Sequence, residues 1–208
     1  MHLFFYSFFL SLGAMFPIVN PIGQAPFFYI MTVSNSAEER HKLSLRIAFY
    51  VFLILTISLV TGEYILKIFG VTLNDIRIGG GLLVASIAWK MLGNSPSITE
   101  KEHSAAMDKE DIALTPMATP ILAGPGAMTF AIGLASFGAT PVNYAGYIAG
   151  FFVISLITVI TFYFSDYLVK CLGHNALGSL NRILGFLILA IGVDLMVTGI
   201  KNAFFLHG

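Results

Sequence analysis

The chain has 208 residues, 57% hydrophobic and only 11% charged, with a mean hydropathy of +0.85. Soluble domains carry roughly 25% charged residues, so this composition excludes a soluble globular protein and predicts an all-α integral membrane protein. A formal net charge of zero carries no signature of a nucleic-acid partner, and a lone cysteine, Cys171, excludes an internal disulfide.

A spanning helix needs about 20 apolar residues, and six segments meet or approach this. The first runs from Leu3 to Val33, longer than a bilayer core requires at about 1.5 Å per residue. No Lys or Arg precedes it and no small-residue cleavage site follows, so it reads as an uncleaved span. Within it lies Phe16-Pro17-Ile18-Val19-Asn20-Pro21-Ile22-Gly23-Gln24-Ala25-Pro26-Phe27. Each proline removes a backbone donor and crowds the carbonyl four residues back. A broken helix is expected there, with Asn20 extended because it precedes a proline. Ser34–Arg46 reads as a polar loop in which Asn35 or Ser36 caps the next helix ahead of Glu38 and Glu39.

The second span is expected over Leu45–Phe69, closing at Gly70, and the third over Ile76–Leu92, opening with Gly79-Gly80-Gly81. Residues 94–111 form a polar loop at mid-chain. The fourth span, Ile112–Phe137, is again interrupted, by Pro116, Pro120 and Gly124-Pro125-Gly126. A turn at 139–143 leads to the fifth, Tyr144–Tyr163, with Tyr144, Tyr147, Phe162, Tyr163 and Tyr167 placed like interfacial aromatics. Asp166–Asn181 reads as a loop and Ile183–Phe205 as the sixth span. The loops after spans one, three and five hold Arg40, Lys42, Arg46, Lys90, Lys101, Lys109, Lys170 and Arg182, against Lys67, Arg77 and Lys201 on the other side. That bias of eight to three puts those loops in the cytoplasm and both termini outside.

The two halves echo one another. Pro17–Gly23 in span one faces Pro120–Gly126 in span four, and at an offset of 105 Arg77 matches Arg182, Gly80 matches Gly185 and Ala85 matches Ala190. A unit of three spans ends on the side opposite its start, so its copy inserts upside down. The expected organisation is one membrane domain, with repeat 1 over 1–93, the polar loop 94–111, and repeat 2 over 112–208. Paired interrupted helices at corresponding places point to a central polar site. Asn20, Pro21, Gly23, Gln24, Thr119, Gly124, Pro125 and Gly126 are the candidate substrate-binding residues. Glycine lets backbone approach a solute, amides at a half-helix start suit a carboxylate, and released carbonyls suit an ammonium or cation. A kinked helix with a packing role is the competing reading of each break. Asp194, near the middle of span six, is the candidate for coupling to H+ or Na+, against an acid kept neutral or one hydrogen-bonded to a helix neighbour. Glu63 is expected to pair with Lys67 one turn on, and Arg77 and Arg182 to snorkel to opposite faces. The five histidines lie apart in flanks and loops, so no metal site is expected. No HExxH, nucleophile elbow or phosphate loop is present, and Gly192-Val-Asp194 carries only a fragment of an intramembrane aspartyl protease motif. No enzyme activity is expected.

Several motifs together resemble the MarC family of bacterial membrane proteins, grouped with small neutral amino acid transporters. They are Asn20-Pro21-x-Gly23-x-x-Pro26-x-Phe28, Gly62-Glu63-x-Ile65-Leu66, Phe69-Gly70-Val71, Arg77-Ile-x-Gly-Gly81, Pro116-x-Ala118-x-Pro120-x-x-Ala123-Gly124-Pro125-Gly126, Arg182-Ile-Leu-Gly185 and Gly199-Ile200. The resemblance covers nearly the whole chain and implies six spans, an inner-membrane location, no cofactor, and carriage of glycine, alanine and similar solutes. Asn20 stands where many relatives have Asp, which leaves Asp194 as the charged coupling candidate. Efflux of drugs or metabolites, or a non-transporting membrane role, are the alternatives.

Overall fold

The computed structural model describes residues 1–93 and 112–204, so the polar loop 94–111 lies outside the described residues. The helices are α1 His2–Val19, α2 Pro21–Met31, α3 Ala37–Ile68, α4 Leu73–Leu92, α5 Ala113–Leu122, α6 Pro125–Leu134, α7 Pro141–Tyr163 and α8 Ser165–Phe204, with a short 3-10 turn at Ala135–Phe137. Four of them are individually long and apolar enough to cross a bilayer: α1, α3, α7 and the Ala176–Phe204 part of α8. A fifth crossing is made if α5 and α6, bent by 64°, count as one broken span. The expected third span, α4, has 20 residues, enough for about 30 Å. It carries Asn74, Asp75, Arg77, Lys90 and three glycines, which lower its apolar character.

Capping explains where the helices start. Ser36 Oγ accepts from the Glu39 amide (3.2 Å) while a Glu39 carboxylate oxygen accepts from the Ser36 amide (2.7 Å). This reciprocal cap begins α3 at Ala37, so most of the expected loop 34–46 is helix, with Glu38, Glu39, His41, Lys42 and Arg46 exposed on its first turns and Ser44 buried. Equivalent boxes at Thr72/Asp75 and Thr140/Asn143 start α4 and α7. Thr72 hydrogen bonds hold the exposed Asp75 carboxyl below its usual range. Glu63 pairs with Lys67 at 2.9 Å, as the four-residue spacing predicts.

The expected loop at 166–181 is also helix: α8 runs unbroken for 40 residues. No proline interrupts it, an Asp166–Lys170 ion pair at 2.9 Å braces its first turns, and isolated glycines cost only about 1 kcal/mol each. Polar residues there mark a helix that reaches beyond the apolar layer.

Side-by-side contacts fix helix directions. A Cβ built on Gly146 would meet the Phe4 carbonyl at 2.6 Å, and one on Gly150 the Phe8 carbonyl at 3.1 Å. Numbers rise together, so α1 and α7 run parallel. On α8, Gly185 faces Ala88, Gly192 faces Gly81 and Gly199 faces Asn74. Numbers rise on one helix as they fall on the other, so α4 and α8 are antiparallel. Glycines every seven residues give α8 a smooth seam that lets the two backbones approach closely.

The main core joins every helix except α4, whose Val84 and Ala88 form a second, smaller cluster with Ile188, and it includes a parallel stack of Phe28 on Phe162, centroids 4.4 Å apart. Two expected interfacial aromatics, Tyr147 and Phe162, are fully buried in it, because their faces of α7 meet α1 and α2. Arg77, expected to snorkel, is buried with its guanidinium 5.6 Å over the Phe137 ring and 3.4 Å from Asn74 Oδ1. Phe137, from the turn at 135–137, supplies the ring beneath that guanidinium. Arg182 is exposed, as a snorkelling residue requires.

Candidate functional site: two helix breaks

The first break sits at one residue. Helix α1 runs through Pro17 and α2 through Pro26, so neither proline ends its helix. Pro21 occupies the first position of α2, where its missing N–H costs nothing. Asn20 adopts φ 48°, ψ 57°, the left-handed region, and not the extended conformation expected before a proline. It is the one non-glycine residue with positive φ among those described. Asparagine tolerates this conformation better than other side chains, and it lets one residue end one helix and begin the next. The Asn20 amide donates to the Phe16 carbonyl at 2.9 Å, closing α1. Its side-chain Oδ1 accepts from the Gly23 amide at 3.0 Å, opening α2.

That arrangement dictates the rest. A backbone N–H can only donate, so the Asn20 oxygen faces Gly23 and its Nδ2 points elsewhere. It donates to Asn181 Oδ1 at 3.0 Å, across 161 residues. Asn181 belongs to α8, in the stretch expected to be a loop, and no sequence signal separated it from other surface polar residues. Only the hidden continuity of α8 places it here. Gly23 is required: a Cβ there would overlap the Asn181 and Asn20 side chains.

The second break is built differently. Thr115 (φ −131°, ψ 120°) and Thr119 (φ −133°, ψ 126°) are extended, as residues before prolines should be. Both peptide bonds to Pro116 and Pro120 are cis. Helix α5 is wide-wound between them, with amides donating five residues back, Met117 to Ile112 (3.2 Å) and Ala123 to Ala118 (2.8 Å). Gly124 then precedes Pro125, the first residue of α6, as Asn20 precedes Pro21. Gly124 has no room for a side chain, since its Cβ position would overlap the Pro120 carbonyl oxygen. No side chain caps the start of α6, so its first amides and positive dipole end lie inside the span.

The two broken segments touch. Helix α1 lies against α5 and α6, and α2 against α5. Val19, Asn20, Pro21, Ala123, Gly124 and Gly126 are all buried, while Gly23, Gln24 and Thr119 are partly accessible and Pro125 is exposed. The first break is thus covered at Val19–Pro21 and partly open at Gly23 and Gln24, and the second reaches the surface at Pro125. A groove of about 500 Å³ lies elsewhere, between the first turns of α3 and the end of α7, lined by Glu38, His41, Ile160, Tyr163 and Phe164. Thr129 uses its hydroxyl on the Pro125 carbonyl at 2.8 Å. Asp194 stands on an exposed face of α8, without a hydrogen bond or ion pair to another described residue. No group of His, Cys, Asp or Glu among the described residues is arranged to hold a metal.

Residues 3–204 match the model of the MarC family, described as integral membrane proteins. A "UPF0056 membrane protein YhcE" of Escherichia coli is 35% identical over 207 residues, covering 96% of this chain and 93% of that protein. "UPF0056 membrane protein MJ1677" of Methanocaldococcus jannaschii is 34% identical over 199 residues, 94% of this chain and 97% of the relative. "UPF0056 membrane protein YvbG" of Bacillus subtilis is 29% identical over 195 residues, 92% of each. No solved structure matches the chain.

Proposed function

The chain belongs to the MarC family of integral membrane proteins, and from that premise we propose that it is a secondary carrier for small neutral amino acids of the glycine and alanine size. The observation that carries this reading is the pair of breaks at Asn20-Pro21 and Gly124-Pro125, each a helix end and a helix start within an apolar segment, with the two segments packed together. Discontinuous helices of this kind occur in membranes where backbone faces protein or a polar cavity. The uncapped start of α6 suits a carboxylate, and the released carbonyls near Pro116 and Pro120 suit an ammonium. Glycines at 23 and 124 let backbone approach a small solute closely. Gln24 and Thr119 add polar groups at its edge.

The carrier is built from two inverted repeats. Exchanging α1, α2, α3 and α4 for α5, α6, α7 and α8 gives most helix contacts a counterpart: α1–α7 corresponds to α3–α5, α2–α7 to α3–α6, and α2–α8 to α4–α6, while the α1–α8 contact has no α4–α5 counterpart of comparable extent. The α3–α7 and α4–α8 contacts map onto themselves, and the antiparallel course of α4 and α8 suits an inverted pair. Six crossings follow, with α4 as the third, both termini in the periplasm of an inner membrane, and Asp194 as the site of H+ or Na+ coupling. The protein moves its solute without chemistry. Purified protein in liposomes is expected to accumulate labelled glycine or alanine under a proton or sodium gradient. The same uptake should fail in Asn20→Ala and Gly124→Leu. Absence of uptake for all twenty amino acids under both gradients overturns the proposal.

A further inference from the structure

We propose that Asn181 is a latch on the first break: its side-chain oxygen fills the place that a solute oxygen takes when the carrier loads. This rests on the carrier reading above. Three observations carry it. Asn181 Oδ1 lies in the space directly in front of Gly23, where a Cβ would overlap it. It accepts from Asn20 Nδ2 at 3.0 Å, the donor that the cap geometry turns away from α2. Around that bond Val19, Asn20 and Pro21 are buried while Gly23 and Asn181 are partly accessible, so a solute oxygen that reaches Asn20 Nδ2 must take the place of Asn181 Oδ1. A carboxylate oxygen of a solute makes the same hydrogen bond with a full negative charge and so is the better acceptor. Exchange of one acceptor for the other frees α2 from α8 while keeping Asn20 satisfied. Loading and release of the broken helix are then one event.

The donor–acceptor logic gives the test, with thermal unfolding of purified protein as readout. Asn181→Asp keeps an acceptor for Asn20. Asn20→Asp keeps both acceptors, and the Asn181 amide can turn to donate. Each single variant is therefore expected to stay near wild type at neutral pH. The double variant sets two carboxylates face to face and is expected to lose far more than the two singles combined. Additive losses overturn the pairing and the latch with it.

The second arm measures the rise in unfolding temperature with added glycine. Asn181→Ala removes the internal competitor, so half-saturation is expected at about five-fold lower glycine, the value of one net hydrogen bond. Equal or higher half-saturation overturns the latch, because Asn181 would then hold the solute or ignore it. If glycine shifts no variant while the double variant still shows its excess loss, the carrier reading fails and the solute exchange falls with it.

Discussion

The run Gly79-Gly80-Gly81 offers an internal comparison, because three adjacent glycines in one helix share the same backbone and differ in what they face. Replacing glycine by alanine in a helix interior stabilises it by about 0.5–1 kcal/mol. A Cβ on Gly79 meets nothing within 4 Å, so Gly79→Ala should show that gain. A Cβ on Gly81 would sit 2.6 Å from the Gly192 carbonyl oxygen and 2.8 Å from the Met196 amide nitrogen. Ordinary C···O contact begins near 3.3 Å, so α4 and α8 must part by roughly 0.7 Å. A gap of that size forfeits about a quarter to a half of each dispersion contact along the seam, and overpacking against backbone costs about 1–3 kcal/mol. Gly81→Ala should therefore be about 2 kcal/mol less stable than Gly79→Ala, a difference of roughly 4–8 °C in unfolding temperature for a chain of this size. The reciprocal Gly192→Ala, whose Cβ would meet Gly81 O and Ala85 N at 2.8 Å, should behave like Gly81→Ala. Thermal unfolding in one detergent measures all three. Equal stability of Gly79→Ala and Gly81→Ala refutes the close glycine seam.

Three further outcomes are expected. Asn143→Ala strands the buried Ser7 hydroxyl, which now accepts from Asn143 Nδ2 at 2.8 Å, and removes the cap of α7; it should cost about 1–3 kcal/mol in the same unfolding assay. Asp75 has its carboxyl lowered by Thr72 hydrogen bonds, so the stability it adds is fully present above the ordinary carboxylate range and lost as pH falls through its lowered value. The unfolding temperatures of Asp75→Asn and wild type should therefore differ at pH 7 and converge in strong acid; a constant difference contradicts the cap. In a Cys171→Ser background, an impermeant maleimide applied to intact cells should label Lys67→Cys and Lys201→Cys and spare Lys42→Cys, and the opposite pattern inverts the topology.

Local chemistry carried the sequence reading furthest. Proline and glycine mark both breaks because they act on their own backbone, and Asn20 and Gly124 sit where that chemistry places them. Ser36 and the Glu63–Lys67 pair are legible for the same reason, since partners three or four residues apart meet in any helix. What failed depends on distant neighbours. The burial of Arg77, Tyr147 and Phe162 follows from which helix lies against each, and one chain's spacing cannot supply that. The polar stretches 34–46 and 166–181 look like loops in composition, yet a helix leaving the apolar layer needs polar faces as much as a loop does. Asn181 was lost through that confusion, and with it the partner of Asn20. The left-handed Asn20 also escaped, because the proline rule disfavours the right-handed helix without choosing between the remaining regions.

The central claim is that both breaks belong to one solute pocket, and equilibrium dialysis of the purified protein against labelled glycine and alanine tests it most directly. The account predicts saturable binding near one solute per chain, lost in Gly124→Leu and in Asn20→Ala although each lies in a different half of the molecule. Binding that survives either substitution in a folded variant, or no binding by wild type, contradicts it.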